Sequence, residues 1–141
     1  MINRRSAPPG WDERGQSVSV LVTVVVAALI MTAGLVIDGG QKITAASRAE
    51  AAAAGAARAA ANAGVTQTIA GRSPGDASLR AARAFLAGQP GITGHTSVSN
   101  GIVTVRTHAS ERTIFLSLIG IDSVSATGFA ASNAVGPDET R

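Results

Sequence analysis

No cysteine occurs in the 141 residues, which excludes disulfides, thiolate metal sites and cysteine nucleophiles. Aromatics are nearly absent: the chain has Trp11, Phe85, Phe115 and Phe129, and no Tyr. A core without large rings buries little area, so a soluble portion of this chain is expected to be marginally stable alone. With no disulfide to staple it, packing against a partner is the expected substitute. Histidine is limited to His95 and His108, far apart and without an acid or thiol in ligand spacing. Metal centres normally need three or four ligands, so no metal is predicted. There is no phosphate-binding loop, no G-x-S-x-G turn and no helical pair of carboxylates. The sequence therefore predicts no enzyme, no cofactor and no small-molecule substrate. The formal charge is +3, and eleven of the twelve basic residues are Arg. They are scattered singly, and without a basic run or stripe no nucleic-acid partner is expected.

Charge is missing altogether from Val18 to Ile37, VSVLVTVVVAALIMTAGLVI. These twenty residues, at about 1.5 Å each, reach roughly 30 Å, the hydrocarbon thickness of a bilayer. Ser19, Thr23 and Thr32 can bond back to helical carbonyls and so do not spoil the run. One competing reading is a buried core helix, but a chain this short has too little mass to wrap a helix that is apolar on all sides. Another is a cleaved secretory signal. Its apolar region would be only about 7–15 residues long, and Arg48 spoils the small-residue site around Ala46–Ala49. The bilayer is thus the first expected partner. Arg4, Arg5 and Arg14 precede the span, while Lys42 and Arg48 follow it. That count favours a cytoplasmic leader over residues 1–17, a transmembrane helix over 18–37 and an extracytoplasmic C-terminal part.

Asp38-Gly39-Gly40 closes the apolar stretch. At mid-bilayer Asp38 would cost about 2.5–3.5 kcal/mol, so it is expected at the interface, with Asp38 and Gly40 marking the membrane exit. Thirteen of the nineteen residues from Ala45 to Ala63 are Ala, the best helix former. No proline lies between Pro9 and Pro74, so span and stalk are expected to be nearly continuous. Two readings of the alanines remain open: a solvated helix with Ala on every face, or a helix that packs closely into a bundle or filament. Val65–Arg72 is expected to be a loop, which completes a stalk region over 38–72. A second helix follows, with Ser73 as cap, Pro74 in first position and Asp76 in the first turn. Leu79, Ala82, Phe85 and Leu86 share one of its faces, and Gly88 and Pro90-Gly91 stop it.

Asn100-Gly101 between Thr96–Ser99 and Ile102–Val105 is a strong hairpin signal. A two-residue turn pairs Ser99 with Ile102 and Val98 with Val103, which puts Thr96, Val98, Val103 and Val105 on one face. That apolar face needs a helix to cover it, either the second helix or the stalk. Thr113–Ile119 is a short apolar segment, helical or extended, ended by Gly120. Asp122–Ala131 predicts a third strand. The whole is an α+β chain: an N-terminal transmembrane helix running into an Ala-rich helix, a short second helix and a small antiparallel sheet of about three strands. Residues 73–133 form its α+β domain, and 134–141 are expected to be a disordered tail.

From Asp12 to Gly64 the order of parts resembles the TadE/TadG-like proteins of bacterial Tad (Flp) pilus systems. A polar leader ends in Glu13-Arg14-Gly15, and an apolar span follows at once. It closes with Gly34-Leu35-Val36-Ile37-Asp38-Gly39-Gly40, similar to the family's G-L-A-x-D-x-G, before the alanine run Ala51–Ala63. The resemblance implies a pilin-like fold and a membrane-anchored accessory role in pilus assembly or secretion. Its implied partners are other membrane-anchored pilin-like or pilus-assembly proteins, met through the Ala-rich helix. It also implies a candidate prepilin-peptidase cleavage between Gly15 and Gln16, although Val20 stands where prepilins carry Glu. A generic signal-anchored scaffold or binding protein is the alternative.

Overall fold

With no proline to interrupt the ladder of backbone hydrogen bonds, a single helix, α1, runs from Glu13 to Ile69. The computed structural model describes residues 13–134; most of the expected leader and all but one residue of the expected tail lie outside the described residues. Span and stalk are one uninterrupted helix that passes straight through Gly39 and Gly40. Its threonines support it locally: the hydroxyls of Thr23, Thr32, Thr44, Thr66 and Thr68 each donate to the carbonyl four residues back, at 2.8–3.1 Å. Thr66 and Thr68 belong to the segment expected to be a loop, Val65–Arg72. The helix instead continues to Ile69, and the chain reverses over residues 70–74. Local propensity is overridden here by tertiary packing, because Gly64 is buried under the backbone of Ala134.

The second helix, α2, covers Gly75–Ala87. Ser73 does not cap it: Pro74 holds the cap position, already with helical dihedrals, and no side chain caps the helix. Helical dihedrals thus begin at Pro74, and Ser73 stands outside the helix without capping it. Ser78, Ala82 and Leu86 make its buried face, with Phe85 packed beside them.

The sheet is an antiparallel meander in the order β1 (Ile92–Ser99), β2 (Ile102–Arg112), β3 (Ser123–Asn133). The hairpin register pairs Ser99 with Ile102 and Val98 with Val103, as the turn chemistry requires. Asn100 (φ 50°) and Gly101 (φ 73°) both adopt the left-handed conformation that such a turn demands. The strands run well beyond the expected segments, back to Ile92 and on to Arg112, because each is paired along its whole length. One face, with Thr96, Val103, Val105, Thr107 and Ala109, is buried.

Both α1 and α2 cover that face. Ala52, Ala53, Ala56, Ala57 and Ala60 of α1 join Ala82, Leu86, Val103, Val105 and Ala134 in the main core, and Ala45, Ala49 and Ala109 form a second cluster. The alanines recur at three- and four-residue intervals, so they line one stripe of the helix. Their small side chains let backbones approach. The Thr107 hydroxyl donates to the Ala49 carbonyl at 2.7 Å, and a Cβ on Gly128 of β3 would collide with the backbone of Ala49 and Glu50. The two open readings of the alanine run thus resolve into a third: the stripe packs against its own chain. Glu50, Ala51, Arg58 and Asn62 remain on the outer side.

The first half of α1 has no such cover. Among Val18–Ile37 only Gly34 is buried. Val, Leu, Ile and Met side chains stand exposed on every side of the span.

Candidate functional site at the foot of the stalk

Gly34 and Asp38, four residues apart, share one face of α1 at the end of the apolar span. Both are buried, and both are covered by the same distant segment. Asp38 is only 1 % exposed. Its Oδ1 accepts the backbone N–H of Ile114 at 2.8 Å, and its Oδ2 accepts those of Phe115 at 3.0 Å and Leu116 at 2.6 Å. The ring of Phe115 lies against Gly34, where a Cβ would fall 2.5 Å from the ring's Cγ. Glycine at 34 therefore makes room for the ring, and aspartate at 38 holds the backbone beside it.

The segment so held is Thr113–Ile121, which is neither plain helix nor strand but a 3-10 turn at Leu116–Ile119 ended by Gly120. Three N–H groups at the start of such a turn have no partner within it, and the Asp38 carboxylate supplies one for each. The partial positive charge of those donors suits an anion. Burial pushes the Asp38 pKa up, but the N–H groups of Ile114, Leu116 and Phe115 outweigh it and hold the carboxyl below the ordinary aspartate value. The base of the loop is closed by Thr113, whose N–H donates to the Asp122 carbonyl at 3.1 Å and whose hydroxyl donates to the Ile121 carbonyl. Nearby, the Lys42 ammonium donates to the Ser125 carbonyl of β3. Higher on the stalk, Arg48 pairs with Glu111 of β2 and donates to the Pro90 carbonyl at 2.6 Å. Lys42 and Arg48 of α1 thus tie the helix to the sheet and to the α2–β1 connection.

Asp38 anchors a distant segment, whereas a Cβ on Gly40 would meet open space and Gly40 simply continues the helix, its carbonyl accepting the Thr44 hydroxyl at 3.0 Å. Gly15 and Gln16 lie in the first turn of α1, roughly 35 Å along the axis from Asp38 at 1.5 Å per residue. The sequence signal for Asp38 was an acid at the end of an uncharged span. Gly34, Lys42, Thr113 and Phe115 were missed as members of one site. Their only sequence clue was the four-residue spacing of Gly34 and Asp38.

The two histidines are closer than their numbers suggest. His95 pairs with Arg106 and Thr93 with His108, so the imidazoles sit diagonally on the outer face of the sheet. Among the described residues no three His, Asp or Glu side chains converge into a metal-binding group. Also on this face, the Arg106 guanidinium lies 5.8 Å from the centroid of the exposed Phe129 ring. The arrangement at Asp38 is a latch that fixes an apolar loop to the end of the apolar span.

Residues 15–63, about a third of the chain, match the family model described as putative Flp pilus-assembly TadE/G-like. The matched part contains the whole apolar span, the Gly34–Asp38 face and the alanine stripe. No curated protein and no solved structure gives a match.

Proposed function

Proceeding from the TadE/G-like match over the span and stalk, we propose that this chain is a membrane-anchored, pilin-like component of a Tad/Flp-type pilus assembly or secretion machine. The observation that carries the anchor is the bareness of Val18–Ile37. The helix is long and apolar enough to cross a membrane, and within the span only Gly34 is buried by the rest of the chain. In water such a surface would be an association hazard; in lipid it is at home. The Arg and Lys count, three before the span against two after it, supports an N-terminus in the cytoplasm and the α+β part outside. The role is structural, not catalytic.

The alanine stripe is occupied by the chain's own sheet and α2, so partner proteins are met through the span and the outer face of the stalk. Peptidase cleavage at Gly15–Gln16 would require that first turn of α1 to unwind. The test is to solubilise membranes in mild detergent and capture the tagged full-length chain. Co-purification of other pilus-assembly proteins is the expected result. Recovery of the chain alone would favour the second reading, a signal-anchored scaffold unrelated to pili. Within the first reading, Val20 in place of the prepilin Glu favours an uncut, TadG-like anchor over a processed filament subunit. Added protease should remove a C-terminal tag from intact spheroplasts, and protection until lysis would reverse the topology.

A further inference from the structure

We infer that the loop Thr113–Ile121 is a second membrane contact, seated in the outer interface of the bilayer that the anchor crosses. The inference rests on the anchor reading above. Its first support is height. Asp38 holds the backbone of Ile114, Phe115 and Leu116, and Phe115 lies on Gly34, one turn inside the apolar end of the span. If Val18–Ile37 crosses the bilayer, the loop cannot stand clear of it.

The second support is chemistry. The nine residues TIFLSLIGI carry no charge, while Arg112 and Asp122 bracket them. Leu118 is 83 % exposed, Ile119 72 %, Ile114 56 % and Ile121 46 %. Leu35, Val36 and Ile37 of the adjoining helix are exposed as well, so helix and loop make one apolar collar. The third support is hydrogen bonding. Lipid offers no partner for a backbone N–H, so a loop at this depth must satisfy its own. This one does so widely. The N–H groups of Ile114, Phe115 and Leu116 go to Asp38, and those of Thr113, Leu118, Gly120 and Ile121 go to carbonyls within or beside the loop. The hydroxyls of Thr113 and Ser117 also donate to loop carbonyls. A solvated surface loop has no need of such closure, because water would serve.

The occupant of the collar is therefore the boundary between headgroups and acyl chains, and the α+β part rests on the membrane instead of standing off on its stalk. The chain has no native cysteine, so single cysteines can carry an environment-sensitive fluorophore. The full chain is reconstituted in phosphatidylcholine–phosphatidylglycerol vesicles with Leu118→Cys, Val26→Cys or Ser97→Cys. Leu118 and Ser97 are exposed, so neither label disturbs packing. Expected is quenching by spin-labelled lipid at positions 26 and 118, with a blue-shifted emission at 118, and quenching only by aqueous iodide at 97. Quenching of 26 by lipid with 118 open to iodide would overturn the loop contact and leave the anchor standing. A blue shift at 118 without lipid quenching would assign the collar to a protein neighbour and also overturn it. If position 26 itself escapes lipid quenching, the anchor reading falls and takes the loop contact with it.

Discussion

Between Val18 and Ile37, α1 presents branched aliphatic side chains all round and buries only Gly34. Between Asp38 and Ile69 the same helix presents alanine and buries a continuous stripe against a sheet and a second helix. The backbone is alike in both halves; what differs is the volume of the side chains and what each half packs against. Large side chains suit the flexible lipid chains proposed to surround the first half. Small ones suit a half whose neighbour is a strand backbone, as at Gly128 over Ala49. A helix can therefore change solvents without a break in its ladder, provided its side chains change where the solvent does.

A charge in the bare half should have the largest effect. Val26 is 48 % exposed, so Val26→Asp would cost little in water but about 2.5–3.5 kcal/mol at the centre of a bilayer. The variant is expected to leave the carbonate-resistant membrane fraction in large part. Full retention there would mean that the half is not lipid-embedded, and the contrast between the halves would collapse.

In the packed half, Gly128→Val would drive a side chain into the Ala49 backbone. Overpacking of this kind costs about 1–3 kcal/mol. Each kcal/mol should lower the melting temperature of the full chain in mild detergent by about 4–8 °C. Coincident melts of parent and variant would show that β3 and α1 are not in backbone contact.

Acid tests the junction between the halves. The Asp38 pKa is lower in the folded chain than in the unfolded one, so its contribution is fully present above the unfolded value of about 3.9 and is lost as pH falls through the folded value. Exchange of the Ile114–Leu116 amides, corrected for intrinsic rate, should stay slow near neutrality and accelerate well below pH 4. Asp38→Asn should abolish that transition, since no ionised acceptor remains. Exchange unchanged across this range in the parent would remove Asp38 as the latch.

The smallest effect belongs to Arg48→Ala. Its pair with Glu111 is partly open to water, and such pairs contribute about 0.2–1 kcal/mol. A slight fall in melting temperature is expected. A fall as large as that of Gly128→Val would mean that the ion pair, not the close backbone packing, holds the stalk to the sheet.

Much of this architecture was written locally. The uncharged span, the alanine run and the Asn100-Gly101 turn each act over a few residues, and each took the form its chemistry demands. The full lengths of β1 and β2 were not legible. Thr93-Gly94-His95 has weak strand character and is extended because Arg106, Thr107 and His108 lie opposite. The end of α1 was misplaced because Val65, Thr66 and Ile69 have low helix propensity, which the contacts of Gly64 override. The latch was only half visible. Asp38 drew notice as an acid beside an apolar run, but its partners lie 76 to 78 residues later, and nothing local in Thr113–Ile119 says where it will dock.

The unbroken ladder of α1 also has a mechanical consequence. At about 1.5 Å per residue the 57-residue helix is a shaft roughly 85 Å long, unbroken between the proposed anchor and the part that carries the sheet. Each residue turns the shaft by about 100°, so the azimuth of the sheet about the membrane normal is set by the number of residues below it. Roll of the anchor against a neighbouring helix would be carried along the shaft to Asp38, Ala49 and Gly64, the points where the rest of the chain grips it. In an assembly of such chains, the facing of each sheet would be keyed to the rotational setting of its helix.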